Sequence, residues 1–443
     1  MKTSYSYTQI WNIAYPILLT LLVQNLIQVI DTAFLGRVGE VELGASAIAG
    51  IYYVAIFMIA FGFSTGSQIL IGRRNGEKNY DKIGEIVFWG IVFLLIMALV
   101  IFLFTHTFSE SILGKILSSP NILEASLDYL DWRIWGLFFA CTNVMFRAFF
   151  VGITLTKVLT FNAILMALTN IFFDYVLIFG NWGFPEMGIG GAALASVISE
   201  AVSVVFFFVY LLVAIDLKKY GFTGIILKNI RIIKNILSIS FSLMIQYFLS
   251  LSTWLIFFLA IEKMGETTLA ISNIIRSCYM IICIPIFALG ATSNTLVSNA
   301  IGAKKQEEVI SLMWKISRLA LIIISVFIVF LGIFPKLSLS IYTSNPELIQ
   351  NSIPSLYVIL AVLPVMAVAS IFFNGASGTG NTKSALFIEI ITLILYVAWM
   401  WFTAIHLKAS LAVCWTTELV YALFLGIFSF IYFQKGNWKN KKI

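Results

Sequence analysis

The chain is short of the residues that carry most enzyme chemistry. Of its 443 residues only 11% are charged, two are His and four are Cys. His106 and His406 stand at the ends of apolar runs and cannot make a metal cluster between them. Cys141, Cys278, Cys283 and Cys414 lie inside apolar runs without zinc-type spacing, so they read as small buried hydrophobes. No set of nucleophile, base and metal can be assembled from this stock, which sets a membrane-embedded enzyme aside. A cleavable leader is also missing. Lys2 precedes an apolar run too long for a signal core, and no small-residue cleavage site follows it. The first run is therefore expected to stay as a span, and no cofactor is expected.

What is present in excess is apolar sequence. Hydrophobic residues make up 60% of the chain, and its mean hydropathy is +0.98. Soluble domains are about half apolar, so this is a polytopic, all-α membrane protein with the lipid bilayer as its solvent. Twelve spans are expected, at 10–35, 43–70, 84–104, 127–151, 159–180, 188–213, 233–260, 268–297, 314–334, 352–376, 383–404 and 410–433. The loops between them alternate in charge. Lys2, Arg73, Arg74, Lys78, Lys82, Lys218, Lys219, Lys228, Lys304, Lys305 and the tail lysines Lys439, Lys441 and Lys442 share one side. Arg37, Lys115, Lys263, Lys336 and Lys408 take the other. Basic loops stay in the cytoplasm, so both termini are expected there, in a multi-pass protein of the cytoplasmic (inner) membrane. This placement accounts for the formal charge of +7 without a nucleic-acid partner.

The chain repeats itself. Arg37-Val38-Gly39-Glu40, with Leu43 and Ser46, returns 226 residues later as Lys263-Met264-Gly265-Glu266, with Leu269 and Ser272. At the same offset Gly76 meets Gly302, and Gly152, Thr156 and Lys157 meet Gly378, Thr382 and Lys383. Six spans per half is an even number, so the halves share one orientation: a parallel repeat about an axis along the membrane normal. The expected plan is two pseudo-symmetric six-helix lobes, 1–214 and 235–443, joined by a cytoplasmic linker at 215–234. That is a transporter layout, with a central cavity opening to alternate sides. A monomer is expected.

The first span carries the chemistry. Pro16 frees a backbone carbonyl and invites a kink. Thr20, Gln24, Gln28 and Asp31 follow at helical spacing as one polar stripe. An ionisable group in a span is costly and usually functional; Asp31 is either interfacial or part of a polar cavity, and the stripe favours the cavity. Asn170 and Asp174 share a face of the fifth span. Glu200 sits in the sixth among Ser196, Ser199 and Ser203, and Glu418 in the twelfth after Thr416 and Thr417; hydroxyl neighbours are expected to satisfy both. Glu389 and Arg276 have no assigned role, and Arg276 is the one central basic residue that the sequence suggests. At the repeat offset Asp31 meets Phe257 and Asp174 meets Met400, so the ionisable cluster is expected in the N-terminal lobe alone. Two carboxylates and an amide oxygen suit a proton or a hard cation such as Na⁺.

Two motifs mislead. Gly62-Phe63-Ser64-Thr65-Gly66 fits a nucleophile elbow, yet it lies in an apolar helix and reads as packing glycines. Gly375 to Lys383 looks like a phosphate loop, but its lysine does not directly follow the glycine; a tight turn is expected.

The whole set resembles the multidrug and toxic compound extrusion (MATE) family: twelve spans, two lobes, Pro16 with Asp31, Asn170 with Asp174, and the Gly-x-x-x-Thr-Lys turns. The resemblance implies a cation-coupling site at Asp31, Asn170 and Asp174 beside Tyr129, with Na⁺ or H⁺ as coupling ion. It also implies antiport of amphipathic, often cationic, small molecules by alternating access, with the first helix bending at Pro16. Thr20, Gln24, Gln28 and Glu200 are the candidates for the substrate cavity. Ser242-Leu243-Met244-Ile245-Gln246-Tyr247 holds no acid where the NorM-type branch carries one, which brings the DinF-type branch nearer. The alternative is a flippase for lipid-linked oligosaccharides in the same superfamily.

Overall fold

The computed structural model describes residues 4–117, 119–224 and 230–439. Lys2, Lys228, Lys441, Lys442 and residues 225–229 of the expected linker lie outside the described residues. The described chain is helical throughout: α1 (Tyr7–Val38), α2 (Glu40–Gly76), α3 (Ile83–Ile116), α4 (Pro120–Arg133), α5 (Gly136–Gly152), α6 (Lys157–Ile178), α7 (Gly188–Ala214), α8 (Arg231–Glu262), α9 (Glu266–Gly302), α10 (Val309–Ile333), α11 (Pro335–Leu339), α12 (Pro346–Gly378), α13 (Thr382–Met400), α14 (Leu411–Trp415) and α15 (Thr417–Lys435). Among the described residues eleven helices are long and apolar enough to cross a membrane, and the α4–α5 pair, bent by 51°, makes a twelfth if it is counted as one span. A helix satisfies its own backbone, which is why hydrocarbon selects it.

Every expected span falls on one of these crossings. The fourth differs in shape, because the run expected at 127–151 is broken between Arg133 and Gly136 and begins earlier, at Pro120. Ser119 caps that start by accepting from the Ile122 amide at 3.5 Å, with Pro120 in the first turn. The last spans break too. α13 runs into a π-helical turn, Trp401–His406, before α14.

The repeat is built into the backbone. α2 and α9 each run 37 residues, and both ends of α9 lie 226 positions after those of α2. Lys78 and Lys304 both take a left-handed conformation, φ 59°. Each ends its helix with a six-to-one amide bond, Asn79 to Arg74 at 2.9 Å and Lys305 to Ala300 at 2.8 Å. A single 3₁₀ turn follows in both, Tyr80–Lys82 and Gln306–Glu308. The turn after α5 is left-handed at Thr154, and the turn after α12 at Gly380. That second turn is the stretch that resembled a phosphate loop.

By packing, the chain forms two compact units, 19–244 and 1–18 with 245–443. The boundaries at 18/19 and 244/245 are themselves one repeat apart. α1 and α8 each begin in one unit and end in the other, which an assignment of whole spans to lobes at 1–214, 215–234 and 235–443 does not express. In the first unit α2 and the start of α8 touch backbone to backbone. A side chain at Gly62 would strike the Met244 backbone, and one at Gly66 would strike Ser240, whose hydroxyl donates to the Phe63 carbonyl at 3.0 Å. The apparent nucleophile elbow is thus a helix-packing face. The second unit closes around Phe257, Phe372 and Trp415, with Ile10 and Ala14 of α1 in the same core. Its two chain ends meet at one spot: Glu308 accepts from the Ser4 amide and hydroxyl, and Lys439 pairs with Glu307 at 2.8 Å.

Candidate functional site

In the unit 19–244, α1, α4 and α6 bring four of the sequence-flagged residues together. Asn170 and Asp174 lie one turn apart on α6 and are fully buried. α6 and α7 pack closely, since any side chain at Gly191 would run into the Leu177 carbonyl. The Asp174 carboxyl comes within hydrogen-bonding reach of the Asp31 carboxyl. Tyr129 stands beside Asp31 and is reached by Arg133. Among the described residues no donor serves Asp31 Oδ1, either oxygen of Asp174 or the Asn170 amide oxygen, and no acceptor serves the Asn170 amide nitrogen. Two carboxylates are acceptors only. They can bond to each other only with a proton between them, or be bridged by a cation. The cost of leaving buried polar atoms without partners is what a bound ion or proton would remove. Among the described residues no group of three or more His, Cys, Asp or Glu could hold a metal ion. A Na⁺ here would draw on Asp31, Asp174 and the Asn170 carbonyl oxygen.

The remaining candidates separate. Thr20 is buried, whereas Gln24 and Gln28 are exposed on α1. Pro16 is buried within an unbroken helix, two residues before α1 leaves the unit that holds its start. Glu200 has a different partner from the one expected. Instead of its serines it meets Arg133, Nη1 to Oε2 at 2.9 Å and Nη2 to Oε1 at 2.6 Å. The guanidinium lies 3.8 Å over the Tyr53 ring. A polar chain continues from it, with Asn143 donating to the Glu200 carbonyl at 3.0 Å, Ser203 to Asn143 at 2.9 Å and Asn162 to Ser203 at 2.7 Å.

Arg133 is the functional-looking residue that the sequence reading missed. It sits at the break of a span, where an uninterrupted hydropathy window treats it as a boundary charge. Its signal was that a basic residue within the fourth span must find an acid, and Glu200 is one. Arg276 is exposed, with its guanidinium 5.1 Å from the Phe258 ring.

The expectation that ionisable groups cluster in one lobe also fails. In the other unit Glu389 and Glu418 are buried at 1% and 4% exposure. Their partners are Ser250, Trp254, Tyr279, Tyr396 and Tyr421, not the neighbouring Thr416 and Thr417. The offset comparison missed this because the second-half acids come from α13 and α15, away from the positions equivalent to Asp31 and Asp174.

The sequence model of the MatE family matches residues 16–176 and 239–402, one stretch in each half. The chain is 25% identical over 440 residues to the probable multidrug resistance protein NorM of Thermotoga maritima, covering 97% of this chain and 93% of that one. It is 28% identical over 198 residues to the probable multidrug resistance protein YoeA of Bacillus subtilis, covering 44% and 42%. A variant of the Vibrio cholerae MATE transporter VcmN superposes with a TM-score of 0.87 at 17% identity, covering 98% of each chain. Solved MATE structures described as in the bent and the straight conformation superpose with TM-scores of 0.84 and 0.85 at 18% identity, each covering 97% of this chain and 94% of that one. The chain therefore belongs to the MATE family, and is a secondary transporter of the membrane, not an enzyme.

Proposed function

We propose that the protein is a cation-coupled antiporter that exports amphipathic, often cationic, small molecules by alternating access. The observation that carries this reading is the pair of carboxyls, Asp31 and Asp174, facing one another beside a donorless and acceptorless Asn170. Such a site lowers its energy by taking up H⁺ or Na⁺ and raises it on release. A coupling ion drives a cycle only through its different affinity for the two states. Relatives named as multidrug resistance proteins support the substrate class. Both termini are assigned to the cytoplasm, the membrane to the cytoplasmic (inner) one, and the working form to a monomer. Within the family we keep the chain nearer the DinF-type branch because α8 has no acid in Ser242–Tyr247, although the matched relatives bear the name NorM. A flippase for pyrophosphate-bearing lipid is disfavoured, since the buried guanidinium of Arg133 is held by Glu200.

The test is efflux of a fluorescent cationic dye from everted vesicles, with a Na⁺ gradient or a pH gradient imposed separately. Uphill movement under one gradient and not the other assigns the ion. Failure under both would overturn coupled export.

A further inference from the structure

The polar stripe of α1 has a counterpart on α8. Gln246, Ser250 and Trp254 stand 226 positions after Thr20, Gln24 and Gln28. Ser250 and Trp254 each meet a buried glutamate of the unit 1–18 with 245–443. The two glutamates are held in different ways. Glu418 receives three donors with one proton each: the Tyr279 hydroxyl at 3.0 Å on Oε2, and on Oε1 the Tyr396 hydroxyl at 3.2 Å and the Trp254 indole at 3.3 Å. That is the shell of an ionised carboxylate, as hydrogen bonds of this kind favour the charged form.

Glu389 has no such shell. Ser250 Oγ lies 2.6 Å from its Oε1 and 2.9 Å from the Gln246 backbone carbonyl. A serine hydroxyl has one proton, so both contacts are hydrogen bonds at once only if the first proton comes from Glu389. The 2.6 Å separation suits a strong hydrogen bond of either direction, so the single proton of Ser250 carries the assignment. Ser250 then donates onward to its own helix, as Ser252 does to Phe248 at 2.8 Å. Tyr421 also donates to the acid, 3.0 Å from Oε1, the oxygen that Ser250 meets, and 3.3 Å from Oε2. A second observation points the same way. Gln246 Oε1, one turn before Ser250 on the same face and in a residue only 6% exposed, has no donor among the described residues. The stripe therefore holds more acceptors than protons.

The groups around Glu389 are Ser250, Gln246 and Tyr247 from α8, and Tyr421 and Glu418 from α15, with Tyr396 on its own helix. α12 carries only Glu347 and Tyr357 as titratable residues, both in its first half. Among the described residues no Lys, Arg or His nitrogen comes within 4.0 Å of either glutamate. With the Ser250 proton given to Gln246, a carboxylate at Glu389 would have Tyr421 as its one donor among the described residues, against three at Glu418, and would be the more costly of the two to keep in a span.

We propose that Glu389 is a second proton-binding site, lodged in the unit 1–18 with 245–443, and that it gives up and regains its proton during transport while Glu418 stays ionised. The inference rests on the transport reading for the word "during", but the site itself can be tested without transport. The acid carbonyl band of a protonated carboxyl is recorded by infrared difference spectroscopy on the purified full chain in lipid, across neutral and alkaline pH. Glu389→Gln should remove one such band and Glu418→Gln none. Ser250→Ala removes the acceptor of the acid proton and should shift that band to higher frequency. It serves as the arm if Glu389→Gln does not fold. In proteoliposomes the alkaline limb of the dye-efflux pH profile should move in Glu389→Gln. An unchanged set of acid bands in Glu389→Gln, or an unmoved band in Ser250→Ala, overturns the site. Band loss with an unmoved pH profile overturns the exchange. A wild-type protein that moves no dye sinks the transport reading, while the infrared bands still decide whether Glu389 holds a proton.

Discussion

Arg133 and Glu200, 67 residues apart, form a two-point ion pair in which the side chains are only 11% and 13% exposed. The pair ties the break between α4 and α5 to α7, and Tyr53 stacks beneath it at 3.8 Å. Removing one partner of a buried pair leaves the other charge uncompensated, at a cost of about 3–5 kcal/mol. Glu200→Gln should therefore lower the melting temperature of the detergent-solubilised protein sharply. The double variant Arg133→Met with Glu200→Met should recover most of the loss. Dye binding per folded molecule should persist in both, because Glu200 is committed to Arg133. A Glu200→Gln protein that melts like wild type but binds no dye would put Glu200 back in the substrate cavity.

The facing carboxyls give a sharper expectation. Asp31→Asn keeps the shape and removes a charge, and so does Asp174→Asn. Each should abolish uphill efflux while expression stays near wild type. Combining them should be no worse than either alone, as for groups that act as a unit. Full uphill transport by well-expressed Asp31→Asn would falsify the coupling assignment and leave Asp31 as an interfacial acid.

These two sites show how much the sequence could say. Spacing along one helix put Asn170 and Asp174 on a shared face, and hydropathy found every span. What spacing could not give was which faces meet. Asp31 approaches Asp174 through packing of helices 143 positions apart, and Arg133 was hidden by a bend that a hydropathy window smooths over. Glu389 and Glu418 were visible as acids within spans, but their partners were not, for a further reason. The repeat keeps backbone landmarks such as Lys78 and Lys304 in register, while the acids sit at different positions along equivalent helices: Glu389 is on α13, the counterpart of α6, and Glu418 on α15, the counterpart of α7.

Sidedness is tested within the unit 19–244. Asn181 follows α6, and Lys219 follows α7. A cysteine introduced near Asn181 should react with an impermeant thiol reagent from outside, and one near Lys219 from the cytoplasmic side only. Labelling of both from the same side would sink the parallel two-lobe plan.

Separate expression of the halves tests the packing. A chain split near Gly224 leaves 1–18 on the first half, although those residues pack with 245–443, and leaves 231–244 on the second, although those pack with 19–224. Each half thus lacks part of its own core. Coexpressed halves should reassemble to a dye-binding protein, and either half alone should be degraded. Stable accumulation of a lone half would show that the exchanged ends contribute little.

Pro16 lies two residues before the point where α1 passes from one unit to the other. Proline has no N–H to give to the backbone carbonyl four residues earlier, and a helix is easier to bend at such a point. α1 is nonetheless continuous from Tyr7 to Val38, so Pro16 does not break the helix. Family structures described as bent and as straight fit this chain about equally well. Pro16→Ala restores the missing bond and should favour the straight helix. Dye affinity should then hold near the wild-type value, because Asp31, Asn170 and Asp174 are untouched, while turnover in proteoliposomes falls several-fold. A Pro16→Ala protein with wild-type turnover would remove the hinge from the mechanism. Lost affinity with retained turnover would instead make Pro16 a packing residue of the site's own wall.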